Sequence, residues 1–297
     1  MLQIKLTLDE SGNVQSTPIS TNKTLRLGDA VLDLTTPRIM GIVNATPDSF
    51  FSGSRATGVE EACRTVGRML EEGADLIDIG GYSTRPGAPD VSEADELERV
   101  VPVISAVLRT FPQARVSVDT FRANVARAAL DAGAVMVNDV SGGSRDEDML
   151  RTAASCRAAV VLMHMRGTPA TMSTLTQYDN IVTEVALHLR QRAEAAEACG
   201  ITDIVIDPGF GFAKTTEQNF HLLRHLSHLS LTGRPFLAGL SRKSMIWKTL
   251  GVSPEEALNG TTALHMAALE RGAQILRVHD VAPAAQVIRL HKQLHRN

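Results

Sequence analysis

The feature that most constrains this chain is a recurring unit, in which a helix-period segment ends in glycine and a short apolar, β-rich run follows at once. It appears in "EEGADLIDIGG", "LDAGAVMVNDV", "EACGITDIVIDPG", "LTGRPFLAGLSR" and "LERGAQILRVHD". Glycine just past a helix takes the left-handed cap without a Cβ penalty, and an unalternating apolar run after it suits a strand buried on both faces. Counting all such runs gives eight strand candidates, at 39–44, 75–80, 115–119, 134–139, 159–164, 203–207, 235–240 and 274–279. Helical stretches separate them. Val59, Ala62, Cys63, Val66, Met69 and Leu70 recur at helical spacing, Ser92 and Asp95 open a capping box, and "SPEE" at 253–256 puts Ser, Pro and Glu at helix-start positions. Strand then helix, eight times and with no linker-like break, predicts an α/β architecture, a closed (β/α)8 TIM barrel over 38–297. A doubly wound open sheet is the alternative.

Residues 1–37 read differently. "LQIKLTLDESGNV" and "TLRLGDAVLDL" alternate apolar and polar positions around Ser-Gly-Asn and Gly-Asp turn signals, which predicts short β-hairpins packed on the barrel as a lid or plug. The whole chain of 297 residues is 43% hydrophobic and 21% charged, enough to bury a large core. Its formal net charge is −3, and Lys and Arg are dispersed, so no basic stripe calls for nucleic acid and a small solute is the expected partner. Cys63, Cys156 and Cys199 are odd in number and far apart, which predicts reduced thiols rather than a disulfide frame or zinc knuckle. No apolar run approaches a membrane span and the start lacks a signal-peptide pattern, so a cytoplasmic protein without membrane association is expected.

In such a barrel chemistry sits where strands end and the following loops begin. Those positions here are Asn44, Gly80-Gly81 leading to Ser83-Thr84-Arg85, Asp119, Asn138-Asp139, His164, Asp207, Ser241-Arg242-Lys243, and Arg277 with His279. Turn preference explains an Asn, Asp or Gly at any one of them; it does not explain Arg, Lys and His as a set. Ser241, Arg242, Lys243, Arg277 and His279 fall on the loops that commonly hold phosphate, which favours an anionic ligand. Asp119, Asn138 and Asp207 offer acceptors for a planar, donor-rich edge. His164 reads as a satisfied core histidine. The "GFGFAK" at 209–214 lacks the third glycine of a dinucleotide fingerprint; Phe210 and Phe212 there serve as pocket wall or as core. Neither His164 nor His279 has a partner at zinc-ligand spacing, so any metal among these residues is a hard one on oxygen.

Together the motifs resemble the dihydropteroate synthase family of the folate pathway. The segments that carry the resemblance are "GIVNATPDSF" (41–50), "GADLIDIGGYSTRPGA" (73–88), "VSVDT" (116–120), "VNDVSGG" (137–143), "VLMHMRGTP" (161–169), "DPGFGFAKTTEQN" (207–219), "GLSRKSMI" (239–246) and "RVHD" (277–280). The resemblance implies a transferase joining 6-hydroxymethyl-7,8-dihydropterin pyrophosphate to p-aminobenzoate with release of pyrophosphate. It carries the pterin pocket onto Asp119, Asn138, Asp207 and Lys243 with Met163 as a wall, and pyrophosphate onto Asn44, Thr84, Arg277 and His279, with Mg²⁺ on the Asn44 side. Thr84, Arg85, Pro86, Phe212, Ser241 and Lys243 fall at the p-aminobenzoate site. Asp119, Lys243 and Asn44 are the implied catalytic residues, and a homodimer is the implied assembly. Barrel geometry alone gives Lys243 to phosphate; the resemblance moves it to the pterin side.

The residue types suit that reaction. Loss of pyrophosphate leaves a delocalised cation, so the leaving group must be neutralised and the cation sheltered, and a neutral arylamine needs no strong general base. A folate-dependent methyltransferase on the same barrel, a Schiff-base aldolase using Lys243 and a non-catalytic pterin binder are the competing readings. The first loop, "RIMGIVNATPDSFFSGSR" at 38–55, departs from the family's usual Thr-Pro-Asp-Ser-Phe-Ser-Asp-Gly-Gly: Phe51 adds an aromatic and the later acid is missing. Thr46 to Arg55 is expected to be a lid that excludes water. The family is a sulfonamide target, and sensitivity depends on loop geometry.

Overall fold

A computed structural model of the chain describes residues 4–8, 14–18, 23–45, 55–83, 90–169 and 171–296. Two antiparallel hairpins come first: β1 (Ile4–Leu8) with β2 (Val14–Pro18), and β3 (Thr24–Leu27) with β4 (Ala30–Asp33). Eight parallel strands follow: β5 (Arg38–Asn44), β6 (Leu76–Gly80), β7 (Val116–Asp119), β8 (Met136–Asp139), β9 (Ala159–Met163), β10 (Ile204–Asp207), β11 (Leu237–Ala238) and β12 (Ile275–Val278). They pair in the order β10-β9-β8-β7-β6-β5-β12-β11. The two ends of that order meet, because Ile206 bridges to Phe236 in parallel and the Ile206 N–H donates to the Pro235 carbonyl at 3.0 Å. The sheet is thus a closed barrel, and the open doubly wound alternative is excluded.

Strands lie where the apolar runs predict them, most of them a residue or two shorter than the run, and β11 is trimmed furthest. β11 keeps only Leu237–Ala238 of the expected 235–240, since Pro235 has no N–H for the ladder. Helices α1 (Arg55–Glu71), α2 (Glu93–Thr110), α3 (Ala123–Asp131), α4 (Met149–Ser155), α5 (Ile181–Ala198), α6 (Thr216–Arg224), α7 (Ser244–Leu250), α8 (Leu258–Leu269) and α9 (Val281–Leu294) wrap the barrel. Where the repeat supplies a glycine, it turns the preceding helix back into the sheet; Gly73 and Gly272 do so at φ of 102° and 89°. Ser92 caps α2 by accepting from the Asp95 N–H at 3.1 Å. The "SPEE" signal is displaced: Ser253 and Glu256 exchange hydrogen bonds in a turn, and the helix proper begins at Leu258.

Strand periodicity sorts the side chains. Ile77, Ile79, Val116, Val118, Val137, Val160, Leu162, Ile204, Ile206, Leu276 and Val278 belong to the layer shared with the helices. Alternate positions fill the barrel interior. At its lower end, where strands begin, Met40, Leu76, Met136, Val161, Val205, Leu237 and Ile275 form an apolar floor with Leu25, Leu27, Leu32 and Leu34 from the β3–β4 hairpin. The Arg26 N–H fixes that hairpin by donating to Asp203 at 2.7 Å. Above the floor the interior turns polar, which leads to the site.

Candidate functional site

One register step above the apolar floor, the inward positions become Asp78, Ser117, Asp119, Asn138, Asp207 and Arg277. Asp78 sits in the middle of β6 and is fully buried. A carboxylate there needs partners, because desolvating an unpaired charge is prohibitive. Arg277 supplies them: its Nε donates to Asp78 Oδ2 at 2.7 Å and its Nη2 to Asp119 Oδ2 at 2.6 Å. Asn138 Nδ2 donates to the same Asp78 oxygen at 2.8 Å. Gly80 leaves room for this group, since an added Cβ would lie 3.2 Å from Asp119 Cβ. Asp119, Asn138 and Arg277 are therefore one network, tied through Asp78, which sequence reasoning missed. The signal was present as a lone carboxylate inside the apolar run "LIDIGG".

The electrostatics follow from burial. Burial pushes the Asp119 carboxyl up to about 7, aided by Asp78, Glu96 and Asp139 and opposed by Arg277. Arg277 is shifted the other way: burial works against its charge, but Asp78 and Asp119 hold the guanidinium protonated beyond its usual range. Burial also raises Asp207, against the Gly209 N–H that Asp207 Oδ1 accepts at 2.7 Å and against nearby Lys243.

An apolar wall drawn from the end of β9 and the loops after β7, β8, β9 and β10 stands over this floor. Met163, Met165, Met172, Phe121, Val140, Phe212 and Ala213 are buried together. The two loop aromatics separate: Phe210 packs into the helix-side core, whereas Phe212 joins the wall, with Lys243 Nζ 4.5 Å from its ring centroid. The loop that carries Phe212 is pinned from below by Lys214, whose buried ammonium donates to the Gly209 and Phe212 carbonyls at 2.9 Å each and meets His164 Nδ1 at 3.0 Å. His164 is thus a partnered core histidine, as its setting in the sequence suggests. At Gly209 the backbone runs at φ 68° and an added Cβ would fall 2.1 Å from the His164 carbonyl oxygen. Gly209→Ala is expected to cost at least about 3 kcal/mol in a urea melt, combining left-handed strain with a backbone clash.

The loops after β11 and β12 divide their basic residues. Ser241 is buried and bonds to His279, accepting from its N–H at 3.2 Å and meeting its Nδ1 at 3.0 Å. Arg242 does not face the interior, contrary to its grouping with the phosphate residues. Its backbone sits at φ 54°, and its guanidinium grips Asp280 through both oxygens at 2.8 and 2.9 Å and the carbonyls of Pro254 and Glu255. Asp139 likewise points outward and organises its loop, accepting from Ser141 N–H, Ser141 Oγ–H and Gly143 N–H at 2.7 Å each. Asn44 ends β5 on the same strand face as Met40, paired in register with Gly80. Thr84, Arg85, Pro86 and Phe51 lie outside the described residues, as does most of the expected first-loop lid.

With the geometry in place, three comparisons locate the chain among known proteins. Residues 40–279 match the family model described as pterin binding enzyme. A dihydropteroate synthase of Synechocystis is 46% identical over 261 residues, covering 87% of this chain and 90% of that protein. The structure of Xanthomonas albilineans dihydropteroate synthase with 4-aminobenzoic acid superposes with a TM-score of 0.86 at 44% identity, covering 93% of this chain and all of that one. The Xanthomonas albilineans enzyme in complex with 7,8-dihydropteroate gives a TM-score of 0.83 at 43% identity, covering 92% and 99%.

Proposed function

From the premise that the chain belongs to the pterin-binding enzymes, among the dihydropteroate synthases, we propose that it condenses 6-hydroxymethyl-7,8-dihydropterin pyrophosphate with p-aminobenzoate to give 7,8-dihydropteroate and pyrophosphate in folate biosynthesis. The observation that carries the reading is the Asp78–Arg277–Asp119–Asn138 network on an otherwise apolar barrel floor, with Asp207 beside it. A pterin is a flat, donor-rich heterocycle, and Asp119, Asn138 and Asp207 present oxygens to such an edge while Met163 covers a face. Phe212 and Lys243 suit an aromatic carboxylate: the ring stacks on an aromatic surface and the ammonium meets the charge. Ser241 positions His279 for the pyrophosphate side, together with Asn44, Arg277 and, from the undescribed segment, Thr84. Arg85 and Pro86 would close over the arylamine.

In this reading the residues divide the work by charge. Asp119 and Asp78 are buried under the reacting pterin, and Asp119, once ionised, favours positive charge developing above it. Arg277, fixed between them, keeps that pair from repelling and lends its positive field to the departing pyrophosphate, with His279 donating from the rim. The donors here cannot cage a metal by themselves, because Asp78 and Asp119 are spent on Arg277. They fit Mg²⁺ held by the Asn44 carbonyl oxygen, water and substrate phosphate, where the ion would supply leaving-group neutralisation.

Purified protein given both substrates should release pyrophosphate only when p-aminobenzoate is present and should form dihydropteroate in equal amount. Methyl transfer to a corrinoid protein, or pterin binding with no turnover, would overturn the reading. Lys243→Met is expected to raise the KM for p-aminobenzoate by roughly 10–100-fold, the worth of a charged hydrogen bond, and sulfonamides should compete for the same site.

A cytoplasmic homodimer completes the proposal. Among the described residues no helix is long and apolar enough to cross a membrane, and the three cysteines are free. Leu250 on α7 and Leu290 and Leu294 on α9 are exposed, which supports pairing through the α7–α9 side. Light scattering during gel filtration checks the mass.

A further inference from the structure

The opposite end of the barrel carries a group that the proposed reaction does not use. His291 lies in the last turn of α9 and His295, four residues on, is its C-terminal cap, which puts both imidazoles on one side of the helix end with ring centroids 4.5 Å apart. Glu270, at the end of α8, reaches the same spot: its Oε1 is 2.9 Å from His295 Nε2 and 3.7 Å from His291 Nε2. The three ligand atoms all lie within 4.8 Å of one another, the only such cluster of His, Cys, Asp and Glu among the described residues. From this geometry we infer that Glu270, His291 and His295 bind a borderline divalent transition metal, with Zn²⁺ the best match to two imidazoles and one carboxylate.

The rival account is a plain helix-end contact, in which protonated histidines pair with Glu270 and complement the α9 dipole. The geometry tells against it. Glu270 Oε1 reaches both imidazole Nε2 atoms at once, so the three ligand atoms surround one point, which a single helix-end ion pair does not require. Arg271, next to Glu270 in the chain, spends its guanidinium on the carbonyls of Arg224 and Ala267 at 3.1 and 2.7 Å. Two His and one Glu leave a further coordination position open to water. Bound there, the ion ties the last turn of α9 to the end of α8, two helices already packed together. The site is remote from the reaction: α9 starts at Val281 beside His279, and His291 lies ten residues along it, roughly 15 Å away on the helix rise.

Full-length protein stripped with a chelator and titrated with Zn²⁺ by calorimetry should bind one equivalent and melt at a higher temperature as Zn²⁺ is added. The double variant His291→Ala/His295→Ala should weaken binding at least ~10-fold and lose the thermal shift, and Glu270→Gln should weaken it in part. His225→Ala, in the separate His221–His225–His228 stack, should bind as the parent does. Excess Mg²⁺ should not compete, since it prefers an all-oxygen shell. Absence of one-equivalent saturation in the parent, or equal Zn²⁺ affinity in the double variant, overturns the site. Turnover should be the same in parent and variants, so failure here leaves the proposed reaction untouched.

Discussion

Asp119→Asn should lower turnover by about 10²–10³-fold while changing pterin affinity by less than about threefold. The amide oxygen still accepts from Arg277 Nη2, which now sits 2.6 Å from Asp119 Oδ2, so the floor keeps its shape and only the negative charge is lost. That charge matters most when positive charge develops on the pterin, which happens in the transition state and not in the bound substrate. Single-turnover kinetics and pterin titration separate the two effects; an equal loss in both would assign Asp119 to ground-state binding. The pH dependence adds a second readout. With its carboxyl pushed up to about 7, Asp119 is ionised above that pH, so the parent rate should rise through about pH 7 and the Asn variant should lack that limb. Stability runs in the opposite sense. The folded state holds a proton on Asp119 that the unfolded chain releases near 3.8, so this group's contribution is present below that value and lost as pH climbs to about 7. The site is most active where this residue stabilises it least.

Those two residues also mark what the sequence discloses and what it does not. The strands were legible because runs buried on both faces, five of them set off by a capping glycine, leave few other ways to hide so much apolar surface. The strand-end positions were legible because the barrel fixes where side chains emerge, and Asp119, Asn138, Asp207 and Arg277 do fall on the interior. Rotation about a single residue was not legible. Arg242 and Lys243 are neighbours in sequence, yet a left-handed backbone at Arg242 sends its guanidinium to Asp280 while Lys243 faces Phe212. The bond between Asp78 and Arg277 spans 199 residues, so no local pattern could pair them, although an aspartate inside an apolar strand demanded some cation. Lys214 was hidden in the same way, at the end of a glycine-rich motif whose ammonium turns inward beneath it. The hairpin leucines declared a buried face without declaring which barrel end they close.

Arg277→Met should be the most destabilising substitution on the barrel floor. It removes the shared partner of Asp78, which is fully buried, and of Asp119, and breaking a buried pair by deleting one member costs about 3–5 kcal/mol. Here the loss takes a particular form, because the two carboxylates left behind repel each other. The least costly response is for one of them to hold a proton, so the folded state takes up protons that the unfolded state has already given away. Stability of the variant must then fall as pH rises above the carboxylate range, and its deficit against the parent should be smaller near pH 5 than near pH 8. Urea melts of parent and variant at both pH values measure this directly. A deficit of the same size at both would mean that Arg277 contributes packing rather than charge. If the double variant Asp78→Asn/Arg277→Met recovers most of the stability while turnover stays lost, the ionic floor exists for the chemistry above it and not for the fold.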